Sequence, residues 1–124
     1  MRYITHWDPD LDIPENNAFV RDLRARYPEI KALGYYDMSG FLSIRIMEEA
    51  LKTIGGDVEN PARVAKAISA VDFPSPLGRF RFHPEIRAPI VTFYVFEIVE
   101  KDGKFPSKLI DTMPDFPPSL PPKK

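Results

Sequence analysis

The sequence predicts an α/β protein in which three helices precede a strand-rich C-terminal part. Apolar residues recur at helical spacing in three segments between residues 14 and 71, and from residue 79 the pattern alternates with period two. An apolar run over residues 90–99 then leads into the turn sequence KDGK at residues 101–104, where Asp-Gly is a strong hairpin signal. Helices packed against a sheet are therefore the predicted architecture.

The N-terminal residues predict a strand, a loop and a first helix. Residues 2–7 form a short apolar strand pattern, and residues 8–12 combine a proline with clustered carboxylates, which favours a loop. Asp12 is the predicted N-cap of a helix from Pro14 to Tyr27, since proline is well tolerated in a first helical turn and the next proline ends the pattern.

Two further helices are predicted from their end signals. Asp37 is a plausible N-cap for a long helix that ends at the Gly55-Gly56 pair. Asn60-Pro61 supplies a cap and a first-turn proline for a third helix, which Phe73-Pro74 closes.

The C-terminal third predicts strands and then a tail. Residues 79–82 alternate Arg with Phe, whereas residues 90–99 are apolar on both faces and so predict a central strand. Residues 105–112 are the predicted return strand of the hairpin. Residues 113–124 are predicted to be a Pro-rich extended tail, because five prolines fall among the last eleven residues.

The composition excludes several classes of function. The formal net charge is −1, which gives no global attraction to nucleic acid or to an anionic membrane. The absence of cysteine excludes disulfides, thiolate metal sites and a Cys nucleophile on this chain. The first residues contain no apolar segment of the kind found in export signals, so none is predicted here.

Catalytic and metal-binding patterns are weak in this sequence. His6 and His83 are the only histidines, and we expect both to be structural or solvated, because neither has a second His or Cys at metal-ligand spacing. The alternating carboxylates of residues 8–12 lack the Gly and Glu that a calcium loop requires. We therefore predict no enzyme activity, no metal and no cofactor, with an acid such as Asp37 acting with His83 as a remote alternative.

Three segments together resemble the substrate-binding proteins of branched-chain amino-acid importers, which have the type I periplasmic binding fold. These segments are residues 36–56, from YDMSGF to the Gly pair, residues 60–82, which contain PLGRFRF, and the hairpin region from residue 89 to residue 115. The DLDIPEN sequence at residues 10–16 also fits the loop and helix that precede them in the family. Each motif has moderate specificity, and their shared order carries the resemblance.

The resemblance implies that this chain is the C-terminal portion of a two-lobed binding protein and is incomplete on its own. Residues 1–7 and 90–112 would be second-lobe strands, and residues 13–83 would be first-lobe helices and a strand, with crossings near residues 8–12 and 84–89. The first-lobe sheet that the helices cover would then be missing. Since exposed apolar surface is unfavourable, this predicts self-association or dependence on a missing first-lobe chain.

The resemblance also implies a ligand site in the interlobe cleft. In the family, the loop that enters the long helix faces this cleft, and Tyr35, Tyr36 and Asp37 occupy it here. Trp7, near the first crossing, is a further candidate. The alternative for each is structural: Asp37 as a helix cap, one tyrosine in the core and Trp7 as a packing residue.

The predicted function is thus the substrate-binding component, as a fragment, of an ABC importer for branched-chain amino acids or related small solutes. The implied partners are a small solute and the membrane subunits of the transporter, and the implied location of the full-length parent is the periplasm. The alternatives are a standalone α+β interaction module whose Pro-rich tail binds a partner, or a truncated product that binds nothing.

Overall fold

The structure is a computed structural model that describes residues 1–116 of the 124-residue chain. The described part contains three helices and five strands. In chain order the elements are β1 (Arg2–Thr5), α1 (Pro14–Arg26), α2 (Tyr35–Thr53), α3 (Pro61–Ser69), β2 (Asp72–Ser75), β3 (Gly78–Phe82), β4 (Pro89–Ile98) and β5 (Ser107–Phe116). The predicted α/β class, with three helices and a terminal hairpin, is confirmed.

Helix α1 begins where the proline predicts, but Asp12 is not its cap. The N-cap residue is Ile13, whose side chain accepts no hydrogen bond. Asp12 instead accepts a hydrogen bond from the Asn17 side-chain amide at 2.8 Å. Leu11 is buried, and the Ile13 N–H donates to the Leu11 carbonyl at 3.0 Å in a turn before the helix. This turn sets the chain path, so that the N-cap position lies one residue after the predicted one.

Helix α2 begins at Tyr35, three residues before the start that an N-cap at Asp37 predicts, so Asp37 is not the N-cap residue either. Gly34 takes that position, and the Asp37 carboxylate accepts a hydrogen bond from the Gly34 N–H at 2.8 Å. An acidic residue in this third helical position satisfies a free backbone donor and favours the helix dipole. The predicted cap of α3 is confirmed, because the Asn60 side chain accepts from the Arg63 N–H at 3.1 Å.

Strand β4 is shared by three antiparallel partners, as its apolar pattern predicts. It pairs with β1 through residues 94–97, with β3 through residues 89–90, and with β5 through most of its length. Irregularities in the β4–β5 register fall between Val91 and Phe93 and between Val95 and Phe96. One strand therefore joins the N-terminal strand, the β2–β3 pair and the C-terminal strand.

Strand β2 was not predicted, because Phe73-Pro74 was interpreted only as the end of α3. In the structure Phe73 lies opposite Phe80 of β3, with both rings buried and their centroids 5.7 Å apart. Pro74 is tolerated because β2 lies at the end of the strand order, where a missing N–H breaks no ladder. Arg79 reinforces the pair with two hydrogen bonds to the Asp72 carboxylate, at 2.8 and 2.5 Å.

The hairpin between β4 and β5 forms as the Asp-Gly signal predicts. Asp102 and Gly103 adopt φ values of 54° and 71°, and Lys101 and Lys104 exchange two backbone hydrogen bonds of 2.9 Å. The predicted end of the return strand at Thr112 is wrong, because β5 continues to pair with β4 and ends at Phe116. The rest of the predicted Pro-rich tail lies outside the described residues.

Two groups of buried apolar side chains stabilise the fold. The larger core lies between the three helices and the β2–β3 pair, and the smaller contains Leu11, Tyr94 and Phe96. Within residues 1–116 no helix is both long enough and apolar enough to cross a membrane.

Candidate functional site

Two adjacent tyrosines at the start of α2 are exposed to solvent. Tyr36 is 88% exposed and Tyr35 is 47% exposed, and their rings meet edge to face with centroids 6.1 Å apart. Most large aromatic side chains in a folded protein lose more of their surface than this, so an exposed pair on one helical turn is suited to contact another molecule.

Asp37 fixes the start of α2. Its carboxylate accepts from the Gly34 N–H at 2.8 Å, and its own N–H donates to the Gly34 carbonyl at 3.1 Å. These reciprocal bonds hold the first turn, and with it the backbone that carries Tyr35 and Tyr36. Asp37 is thus the third helical residue of a capping box whose N-cap position is taken by Gly34.

Trp7 lies in the larger core. Its side chain is 4% exposed, its indole N–H donates to Asn16 Oδ1 at 2.8 Å, and its ring packs edge to face against Phe19 at 6.2 Å. A ligand cannot reach a side chain buried in this way without disrupting the core. Trp7 is therefore a packing residue in this structure, which is the structural alternative, and we leave it out of the proposed site.

His6 lies beside the tyrosines, although β1 and α2 are distant in sequence. The imidazole packs edge to face against Tyr35, with centroids 4.9 Å apart, and against Phe93 of β4 at 5.9 Å. Burial lowers the pKa of His6 below its ordinary value, so the neutral imidazole is favoured. His6 thereby connects the start of α2 to the sheet.

A cavity of about 600 Å³ opens between α2 and the sheet beside this contact. Volumes of this size accommodate small organic ligands. Four phenylalanines of its wall come from the strands, whereas Tyr35 and four small or aliphatic residues come from α2, and His6 lies just after β1. The lining residues are His6, Tyr35, Ser39, Leu42, Ser43, Ile46, Leu77, Phe80, Phe82, Ala88, Pro89, Val91, Phe93 and Phe116.

A second groove of about 600 Å³ lies between α1, α2 and β2. Its rim is charged, and it includes none of the four predicted site residues. Its lining includes three acidic and two basic side chains, namely Glu15, Asp22, Glu48, Arg26 and Arg45. The cavity that includes Tyr35 is therefore the stronger candidate for a solute site.

The sequence alone did not predict a role for His6 or for the phenylalanines of the cavity. His6 was expected to be structural or solvated, and Phe80 and Phe82 were interpreted only as the packed face of a strand. Their proximity to Tyr35 depends on the pairing of β1 and β3 with β4, which is a long-range feature. The only local signal was the position of His6 at the end of a predicted strand.

Residues 1–104 match a family model described as periplasmic binding protein. The chain belongs to the periplasmic binding protein family. Among curated relatives it is similar to Leu/Ile/Val-binding protein homolog 6 of Brucella abortus, with 24% identity over 108 residues, or 86% of this chain and 27% of the relative.

Solved structures of ABC transporter solute-binding proteins have the same fold. One from Sphaerobacter thermophilus is 35% identical with a TM-score of 0.86, over 94% of this chain and 31% of that protein. A solute-binding protein of Rhodopseudomonas palustris in complex with benzoate is 28% identical, with a TM-score of 0.72, over 93% and 31%. A Brucella ovis protein that binds leucine, isoleucine, valine, threonine and alanine shares the fold at 18% identity and a TM-score of 0.73.

The chain spans about a third or less of the length of these relatives. The recognised family and the fold, three helices with an antiparallel sheet, are thus established for a part of a binding protein. The family consists of solute-binding proteins of transporters, which are in general not enzymes.

Proposed function

We propose that this chain is part of the substrate-binding component of an ABC importer for branched-chain amino acids or related small solutes. The solute would lie in a cleft between two lobes, and Tyr35 and Tyr36 would form one wall of it. The membrane subunits of the transporter would be its partners, and the periplasm would be the location of the complete protein.

The exposed tyrosine pair is the observation that supports this proposal most directly. A protein that binds small solutes needs an aromatic or apolar surface that solvent can reach and whose backbone is held rigidly. The Asp37 to Gly34 hydrogen bonds hold the first turn of α2, and Tyr36 remains 88% exposed on it. Because the first turn is already held in place, less conformational entropy is lost when a ligand binds.

The two cores correspond only in part to the proposed division into lobes, because Trp7 and Val91 pack in the larger core and Ile13 packs against the smaller one. The helices, β2 and β3 surround the larger core, whereas the smaller core draws on β4 and on the residues around Leu11, with Tyr3 of β1 packed against it. Under this proposal residues 13–83 belong to the first lobe and residues 1–7 and 90–112 to the second. The proposed crossings lie near residues 8–12 and 84–89.

Calorimetric titration of the natural polypeptide that carries this chain, with leucine, valine and benzoate, tests the proposal. We expect at least one solute to bind and the Tyr36→Ala substitution to weaken it by about tenfold or more, as for an aromatic contact residue. Tyr27→Ala is the matched control, because Tyr27 is also partly exposed but lies at the end of α1. Equal affinities of the wild type and Tyr36→Ala would contradict the site.

A further inference from the structure

Residues 114–116, which we name the strap, end β5 at the opening of the cavity between α2 and the sheet. Phe116 lines this cavity and is 51% exposed, whereas Leu77 and Phe80, which also line it, are only 2% and 3% exposed. Tyr35 on the helix side is 47% exposed. These exposures place Phe116 and Tyr35 at the rim of the cavity, and Leu77 and Phe80 at its bottom.

The strap is attached to β4 less firmly than the rest of β5. The β4–β5 register is irregular between Val91 and Phe93, where β4 has one residue and β5 has two, Pro114 and Asp115. Pro114 has no N–H to donate to a neighbouring strand. Asp115 has a φ of 52°, which few residues other than glycine adopt. The backbone pairing that holds β5 to β4 is therefore disrupted just before Phe116.

Two side-chain contacts hold the strap against the sheet. Arg81 Nη1 of β3 donates to Asp115 Oδ1 at 2.7 Å, and the Phe116 ring meets Phe93 edge to face with centroids 5.4 Å apart. The Arg81 and Asp115 side chains are 23% and 54% exposed, so water and salt reach the ion pair and weaken it. Since both contacts are modest, the strap can detach while β4 keeps its other partners.

We propose that the strap controls the entry of small uncharged molecules into this cavity, and that it opens by breaking the Arg81–Asp115 ion pair. The residues that line the cavity include no Asp, Glu, Lys or Arg, so its walls suit an apolar visitor. Detachment of the strap moves the Phe116 ring away from Phe93 and widens the opening between the sheet and α2. This inference goes beyond the proposed function, because it concerns access to the cavity and assigns no solute.

The test follows entry of the uncharged fluorescent dye prodan into the natural polypeptide by stopped-flow fluorescence. At high dye concentration the observed rate should approach a limit that is set by opening of the strap. Asp115→Asn should raise this limit by about 1.5- to fivefold, the effect expected for loss of a partly exposed ion pair. Asparagine keeps the size of the side chain and tolerates a positive φ.

Ionic strength gives an independent measurement of the same contact. Added salt screens an exposed ion pair, so the limiting rate of the wild type should rise towards that of Asp115→Asn. The variant lacks the ion pair, and its own rate should not respond to salt. Equal salt dependence of the two proteins would overturn the role of the Arg81–Asp115 contact.

Three further variants connect the rate to the strap. Asp72→Asn is the matched control, because it removes the exposed ion pair with Arg79 on β2 and β3, which lies outside the cavity, and it should leave the rate unchanged. Ser43→Trp places a large ring at a lining position and should abolish the dye signal, which assigns that signal to this cavity. Phe116→Ala should remove the limit, so that the rate rises in proportion to dye concentration.

Every other outcome overturns the inference. It fails if prodan does not enter the cavity, if the wild-type rate rises with dye concentration without a limit, or if Asp115→Asn and Asp72→Asn have the same effect. None of these results bears on the proposed function, which is tested separately by the Tyr36-dependent binding of solutes.

Discussion

The Tyr94 hydroxyl donates a hydrogen bond of 2.8 Å to the backbone carbonyl of Leu77. Tyr94 belongs to the smaller core and Leu77 to the larger one, so this bond connects the two. The bond is buried, and burial also raises the pKa of Tyr94 above its ordinary value. The contact fixes the turn between β2 and β3 against the shared strand β4.

Replacing Tyr94 with Phe should destabilise the protein by about 1–3 kcal/mol, because the Leu77 carbonyl would remain buried without a donor. Chemical denaturation followed by circular dichroism measures the change. Tyr27→Phe is the control and should stay within about 0.5 kcal/mol of the wild type, since Tyr27 is partly exposed. A Tyr94→Phe variant as stable as the wild type would show that water reaches the carbonyl.

Gly78 lies close to the Tyr94 hydroxyl, so a side chain at position 78 should destabilise the protein. Its φ is +96°, and an added Cβ would lie 2.8 Å from Tyr94 Oη. Gly78→Ala should cost about 1–3 kcal/mol from backbone strain alone, and more from displacement of Tyr94. In the Tyr94→Phe background the additional cost should be smaller, because the clashing oxygen is gone.

Gly40→Ala is the matched control for this substitution. Gly40 lies within α2, and an added Cβ there meets no atom within 4 Å. The exchange should stabilise the protein by about 0.5–1 kcal/mol through helix propensity. Equal effects of the two exchanges would contradict the close approach of Gly78 and Tyr94.

Asn16 is a buried polar residue that forms a hydrogen bond with Trp7. It is 0% exposed, accepts from the Trp7 indole N–H at 2.8 Å and donates to the Leu11 carbonyl at 2.8 Å. Asn16→Ala should cost about 1–3 kcal/mol for each group left unpaired, whereas Asn17→Ala at the exposed neighbour should have little effect. Trp7 is the only tryptophan, so its fluorescence reports the change, and an unaltered spectrum and stability would count against this role.

The sequence predicted the helices well because their end signals are local. Proline in the first turn marks α1 and Asn60-Pro61 marks α3, and both signals act within one turn of the residues they stabilise. Strand β2 was missed for the opposite reason. Its four residues include Pro74, and only the pairing with β3 makes them a strand.

The residues of the candidate site also differ in whether a local signal could predict them. Tyr35 and Tyr36 were predicted as site residues from the family resemblance, which places the start of this helix at the cleft, and the structure leaves both of them exposed. His6 could not be predicted, because β1 must first pair with β4 before the imidazole meets Tyr35 and Phe93. The burial of Trp7 depends in the same way on Asn16 and on the packing of α1.

Ionisation of the Tyr3 hydroxyl should lower the free energy of unfolding at alkaline pH. Its hydroxyl donates to Asp8 Oδ2 at 2.5 Å, and burial together with this bond raises the pKa of Tyr3 to about 12. Because the folded pKa exceeds the unfolded value of about 10, the contribution is fully present below about pH 10 and is lost as the pH rises to about 12. The free energy of unfolding should therefore fall more steeply over this range in the wild type than in Tyr3→Phe. Parallel curves would contradict the assignment.

Helix α2 presents an apolar stripe that the described residues leave uncovered. Phe41, Ile44 and Met47 follow each other at intervals of one helical turn and are all exposed, with Ile44 at 71%. Since a helix with an exposed apolar stripe favours association, we expect the purified chain to self-associate and Ile44→Lys to shift it to the monomer. Size-exclusion chromatography with light scattering measures the mass.

Val58→Lys is the control for the added charge, because Val58 is exposed in the loop after α2 and off the stripe. It should leave the association unchanged. A wild-type chain that is monomeric at every concentration, with cooperative unfolding, would show that the stripe is tolerated in solution. If Ile44→Lys and Val58→Lys dissociate the assembly equally, net charge and not the α2 surface controls self-association. Only a selective effect of Ile44→Lys identifies the stripe as the contact surface.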